Sequence, residues 1–325
     1  MSGSVWRRIL AFAVDGAVLN ISGRIVGIAF FAELSRSGPW ARIIGFCIAL
    51  AYFGALESRA GGGQTIGKRL LKLKVVDHGG RPLSWGRAAA RYTVFAVPYF
   101  LFVGPKFSVE TRSVIAGLLL IIVIFGFGFS TLYLLAFNRR TSQGLHDLVV
   151  GSYVVNSTFP GPLDVGPMRL AHWWAISGFG TFIVVFAFLV AIGGELNQKA
   201  GNVSQQSKDE QLIERLGRVR SADVMLWRPK RSGSGASVSH FLKDTPSKIV
   251  IQWFGEPRDR EAVANQVAGI ILQCDPRAHS EDLISIKIGR SYNLGIASGN
   301  DYDSFTHTPA DWQQRVASSL WSCTP

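Results

Sequence analysis

One carboxylate stands inside an apolar run. Asp15 interrupts ILAFAVDGAVLNISGRIVGIAFF, residues 9–31, and an ionised group at mid-membrane depth costs roughly 3 kcal/mol even on a lenient insertion scale. It therefore has to face a protein interior and find a partner. Arg8 lies two helical turns earlier on the same face, Arg24 nearly aligns from the other side, and Asn20 adds a further polar group. A carboxylate so placed can alternate between protonated and cation-bound forms, which is the chemistry of an ion or proton site. It can equally be half of a polar pair that only holds a helix bundle together, and both readings stay open here.

The second candidate is GGGQTIGKR, residues 61–69, where Gly62, Gly67 and Lys68 satisfy most of G-x-x-x-x-G-K-[ST]. A nucleotide loop needs a hydroxyl after the lysine to hold Mg²⁺, and Arg69 occupies that position. The stretch also comes after an apolar span where a nucleotide loop comes after a buried strand, so no nucleotide is expected. It reads as a glycine-rich exit from a span, with Lys68 and Arg69 at a membrane surface suited to lipid phosphates or to a carboxylate such as Asp147. His146 and Asp147 form the third candidate, as a proton-relay pair, a helix cap, or an ion pair between Asp147 and a basic side chain. The ion pair is favoured, with Arg69 or Arg139 as its cation, because opposite charges at one membrane face are cheap to bring together. The tail's His240, His279 and His307 lack metal-ligand spacing, and no G-x-S-x-G or Cys-His arrangement occurs. No metal, no cofactor and no enzymatic activity are expected, and Trp227, Trp253, Trp312 and Trp321 read as core or rim aromatics.

The elements that must position these residues are membrane helices. The chain is 48% hydrophobic and 17% charged, with a net charge of +12. Residues 1–193 hold 18 of the 34 Lys and Arg but only 7 of the 22 Asp and Glu, and the remainder is nearly neutral. The excess sits in short loops between apolar runs, as an anionic cytoplasmic leaflet and the positive-inside rule predict, and not on the soluble basic face of a nucleic-acid protein. Residues 9–31, 41–56, 88–104, 113–137 and 173–194 read as five spans, the third with Arg91 snorkelling and Pro98 kinking it. The first span is too long for a signal peptide and is read as retained. Between the second and third, residues 57–91 carry Arg59, Lys68, Arg69, Lys72, Lys74, Arg81, Arg87 and Arg91 against Glu57 and Asp77. That loop, the amino terminus and the 138–172 loop are placed in the cytoplasm and the tail outside; demoting the Pro98 segment to a re-entrant hairpin would flip every later segment.

The expected architecture is an α-helical transmembrane bundle of about five spans followed by a small soluble α+β domain. Residues 1–156 form the first domain, 157–194 a connecting loop and the last span, and 195–325 the tail. In the loop, LLKLKVVD and HGGRP predict a strand and turn. In the tail, IVIQWF predicts a strand, DREAVANQVAGIILQ a helix, DLISIKIGR and YNLGIASG two more strands, and TPADW a capped helix start at Thr308. Cys274 and Cys323 lie in the tail and would pair if it is exported, whereas Cys47 lies in the second span.

Four segments in order, RRILAFAVD, GQTIGKRLLKLKVVD, GRAAAR and QGLHDLVVGSYVV, resemble the RDD family of bacterial membrane proteins, named for one arginine and two aspartates. The resemblance covers residues 5 to about 156, departs at Ile66 where proline is usual, and leaves the tail unassigned. It implies a multi-pass protein of the bacterial cytoplasmic membrane with Arg8, Asp15 and Asp147 in the named positions, and a role in transport of ions or small ligands. Two functions are consistent with it: an ion or solute transporter using an intramembrane carboxylate, or a non-enzymatic membrane scaffold or sensor whose outer domain binds an envelope protein. The expected partners are the bilayer, anionic lipids at the basic loops and a second copy of the chain, with no nucleic acid.

Overall fold

The computed structural model describes residues 4–102, 125–138, 141–159, 161–163, 166, 168–199, 212–213, 219–225, 247–253, 259–316 and 323. Two compact units divide the chain: Met1–Phe30, Ser37–Asn197 and Asn293–Ser298 form one, and Phe31–Arg36, Gln198–Tyr292 and Gly299–Pro325 the other.

In the first unit, helix α1 (Val5–Ala29) buries Ala11, Asp15, Leu19, Gly23 and Gly27, a stripe recurring every four residues. Small residues on such a stripe let helices approach closely. The rest of α1 exposes Ile9, Phe12, Ile21, Ile25 and Ile28. Water would drive these side chains inward, so lipid is the solvent this helix requires. The chain leaves this unit in α2 (Phe31–Ser37), nearly all of which belongs to the second, and rejoins it through a 3₁₀ turn and α3 (Ala41–Leu56). Three stretches are long and apolar enough to cross a membrane: Val5–Ala29, Phe31–Leu56 and Leu170–Leu189.

The expected five spans are thus only partly matched. The Pro98 segment is one continuous helix, α5 (Trp85–Phe102), with Pro98 inside it. The expected fourth span is described only as α6 (Phe127–Phe137), short for a crossing, and residues 113–124 lie outside the described residues. The last apolar helix, α8 (Leu170–Lys199), is longer than its predicted run.

The basic loop is a folded cap. It holds α4 (Ile66–Leu70) and β1 (Leu73–Val76), and the later loop holds α7 (Leu145–Val150) and β2 (Tyr153–Asn156). The strands pair antiparallel from Leu73 opposite Asn156 to Val76 opposite Tyr153, so one ladder joins segments that the sequence keeps far apart. Leu73, Val75 and Val154 pack with Ala11, Leu83 and Ala88 beneath it.

The second unit carries a four-stranded sheet in the order β3 (Val219–Met225), β4 (Ser247–Trp253), β5 (Ile284–Asn293), β6 (Ser298–His307), with β3 antiparallel and β5 parallel to β4. Alternation on β5 buries Ile284, Ile286 and Ile288. Helix α9 (Arg260–Cys274), capped by Asp259, supplies Ala264, Val267, Ala268 and Ile271 to the same core. Thr308 caps α10 (Pro309–Arg315) as expected, and Trp312 is buried with its indole donating to the Ile284 carbonyl at 3.1 Å. YNLGIASG does not form a separate strand: β5 runs on to Asn293, Gly295 turns the chain at a φ of 79°, and β6 starts at Ser298.

Cys274 and Cys323 are joined in a disulfide with Cα atoms 5.3 Å apart, across a separation of 49 residues. Closing that loop is expected to contribute about 2–4 kcal/mol to the tail. Calorimetry of the full chain checks this: Cys274→Ser should lower the tail's unfolding transition by an amount that a reductant reproduces in the wild type.

Candidate functional site

Asp15 is fully buried, and its partners are neither of the expected arginines. Tyr52 on α3 donates its hydroxyl to one carboxylate oxygen at 2.7 Å, the backbone N–H of Gly67 reaches that oxygen at 2.8 Å, and the Thr65 hydroxyl reaches the other at 2.6 Å. The glycine-rich stretch therefore does bind an anion, and the anion is the chain's own. Thr65 also caps α4 by accepting from the Lys68 N–H. Gly67 is required by the close approach: a Cβ there would sit 2.1 Å from the Ala11 carbonyl oxygen. Arg24 donates to Asn20 at 3.0 Å along α1. Arg8 donates to the carbonyl oxygens of Ser142 and Val154, tying the start of α1 to the later loop.

Below Asp15 a chain of alternating charges links four segments. Lys68 on α4 meets Glu57 at the end of α3, Glu57 meets Arg91 on α5 at 2.6 Å, and Arg91 meets Asp147 on α7 at 2.8 Å. Ser152 adds a hydroxyl to the same Asp147 oxygen, and the Gly144 N–H donates to the other. Asp147 is thus both helix cap and ion-pair partner, as two of the three expected readings had it, but its cation is Arg91. Arg69 donates instead to the Gly61 carbonyl, and Arg139 lies outside the described residues. Glu57 and Asp147 are each 1% exposed. Burial alone would raise their pKa values, but Arg91 with Lys68 at Glu57, and Arg91 with Arg8 at Asp147, outweigh it and hold both carboxyls below their usual range.

His146 lies against this chain, its Nε2 3.5 Å from Asp147 and its ring edge-on to Phe95. Burial pushes its pKa down from 6.5 to about 4. A histidine that binds its proton less readily when folded gives stability that is complete above pH 6.5 and is lost as the pH falls toward 4. The loss should reach about 1.4 kcal/mol per pH unit within that window. Melting curves between pH 7 and 5 test this, and His146→Gln should flatten the slope.

Beside the chain lies a cavity of about 260 Å³. Arg8, Glu57, Lys68, Arg91, His146 and Asp147 form its polar floor; Ile9, Phe12, Phe53, Phe95, Leu132 and Leu135 are among its apolar walls. Among the described residues no group of three His, Cys, Asp or Glu is placed to hold a metal. Glu57, Arg91, Tyr52 and Thr65 were missed as site residues. Only Glu57 carried a local signal, an acid ending an apolar run.

A helical membrane unit whose polar side chains converge under a small β-ladder defines the class: an integral membrane protein with a buried ionic cluster at one end of its bundle. The model of the RDD family matches residues 2–151, the part of the chain that holds this cluster. The Uncharacterized protein YxaI of Bacillus subtilis (strain 168) is 25% identical over 171 residues, covering 46% of this chain and 94% of that one.

Proposed function

We propose that this RDD-family membrane protein transports a small anionic solute, and that the cavity beside Arg8, not Asp15, is where the solute binds. The observation that carries this is the cavity itself, in which apolar walls meet a floor with three cations and two carboxylates. Among the described residues Asp15 already has three donors and no cation, so it serves as a structural acceptor that holds the loop to α1. Proton coupling through Glu57 or Asp147 is disfavoured, because both stay ionised well below neutral pH. The protein is read as non-enzymatic, in the bacterial cytoplasmic membrane, with the basic cap on the cytoplasmic side. Proteoliposomes on a solid-supported membrane test the proposal. A transient current is expected with phosphate or a carboxylate; no current above protein-free vesicles with any of Na⁺, K⁺, chloride, phosphate and short carboxylates would sink it.

The disulfide favours an outer location for the tail, which is where the alternative role, binding an envelope partner, would place it. On intact cells a membrane-impermeant maleimide should label Cys274 and Cys323 only after an impermeant reductant is added. Labelling that requires lysis would place the tail inside.

A further inference from the structure

The cavity holds one charge more than its own side chains neutralise. Lys68, Glu57, Arg91 and Asp147 alternate in sign and balance. Arg8 adds a fifth charge whose two terminal nitrogens reach only backbone carbonyls, and its Nε is buried with no hydrogen-bond partner. Among the described residues no carboxylate lies within ion-pair distance of it. A guanidinium stays charged under all ordinary conditions, and a buried donor without an acceptor costs about 1–3 kcal/mol. The position therefore favours a ligand that brings negative charge.

The walls describe the rest of that ligand. Ile9, Phe12 and Leu132 line the cavity yet are 51%, 50% and 64% exposed, so its side opens onto the apolar outer surface that lipid must cover. A small hydrophilic anion would use only the polar floor, whereas an anion with a hydrocarbon tail can seat its headgroup there and also leave its tail along Phe12 and Leu132. A volume of about 260 Å³ accommodates a headgroup and the start of a chain, with the remainder outside. We infer that Arg8 is the headgroup-binding residue of a site for an amphipathic anion, a phosphate or carboxylate carrying a hydrocarbon tail, that enters sideways from the bilayer. This assignment rests on the cavity being the ligand site and does not require transport.

The test is native mass spectrometry of the full chain in neutral detergent, titrated with phosphatidylglycerol, phosphatidylcholine or inorganic phosphate. The wild type should retain phosphatidylglycerol about tenfold more tightly than phosphatidylcholine, as expected for one charge-assisted contact. Arg8→Gln should abolish that preference and Arg8→Lys should keep part of it. Leu135→Trp fills the cavity without altering Arg8 and should weaken retention by a similar factor, so it decides the matter if Arg8→Gln fails to fold. Equal retention of both lipids, or undiminished retention in Leu135→Trp, overturns the inference. Competition by inorganic phosphate as strong as that by the acidic lipid assigns a free anion and overturns the amphiphile. Lipid retention without any solute current leaves this inference standing and removes only the transport reading.

Discussion

Arg91→Met is expected to lower the stability of the membrane unit by about 3–5 kcal/mol, the range for removing one partner from a buried ion pair. The effect is large because Arg91 serves two carboxylates at once, Glu57 at 2.6 Å and Asp147 at 2.8 Å, each almost wholly buried. Methionine would fill a similar volume and leave both acids without their shared cation. Lys68→Met should cost less, since Glu57 would keep Arg91, and Lys68 itself is 12% exposed on its side chain. Thermal melting in detergent orders the two variants. Equal losses would mean that the network does not depend on its central member.

Asp15→Ala is the second large loss. It removes the acceptor for the Tyr52 and Thr65 hydroxyls and the Gly67 N–H, and donors stranded in a buried site cost about 1–3 kcal/mol each. Asp15→Asn keeps one carbonyl acceptor and should cost less. Gly67→Ala attacks the same contact from the other side: its Cβ would press on the Ala11 carbonyl and the Asp15 carboxyl, and overpacking of this kind costs about 1–3 kcal/mol. If the three variants melt like the wild type, the loop is not a cradle for Asp15.

These two sites show what could be read from the sequence and what could not. The depth of Asp15 in an apolar run required it to face protein, and it does. Its partners escaped because spacing along one helix suggests only residues of that helix, whereas the donors lie 37, 50 and 52 positions further on. GGGQTIGKR was legible as a glycine-rich exit from a span; that Gly67 has no room for a side chain beside Ala11 is seen only in the structure. The sequence could not say that the partner was a carboxylate of the same chain. For Asp147 the choice of Arg91 over Arg69 depends on the register of β1 against β2 and on α5 starting at Trp85, neither of which loop composition encodes. The tail's helix α9 and strands β4 and β5 were visible in composition and periodicity, whereas β3 and β6, with polar and charged residues interspersed, were not predicted. The YNLGIASG error arose because a turn glycine stood between residues of strand-forming type.

Under the proposed function, solute meets the protein in the cavity beside Arg8 and Asp15 only holds the fold. The most direct measurement compares solid-supported-membrane currents from equal amounts of folded wild type, Leu135→Trp and Asp15→Asn. The plug at Leu135 should abolish the current, and the Asp15→Asn protein that folds should retain it. A current that survives the plug and disappears in folded Asp15→Asn would instead place the site at the intramembrane carboxylate.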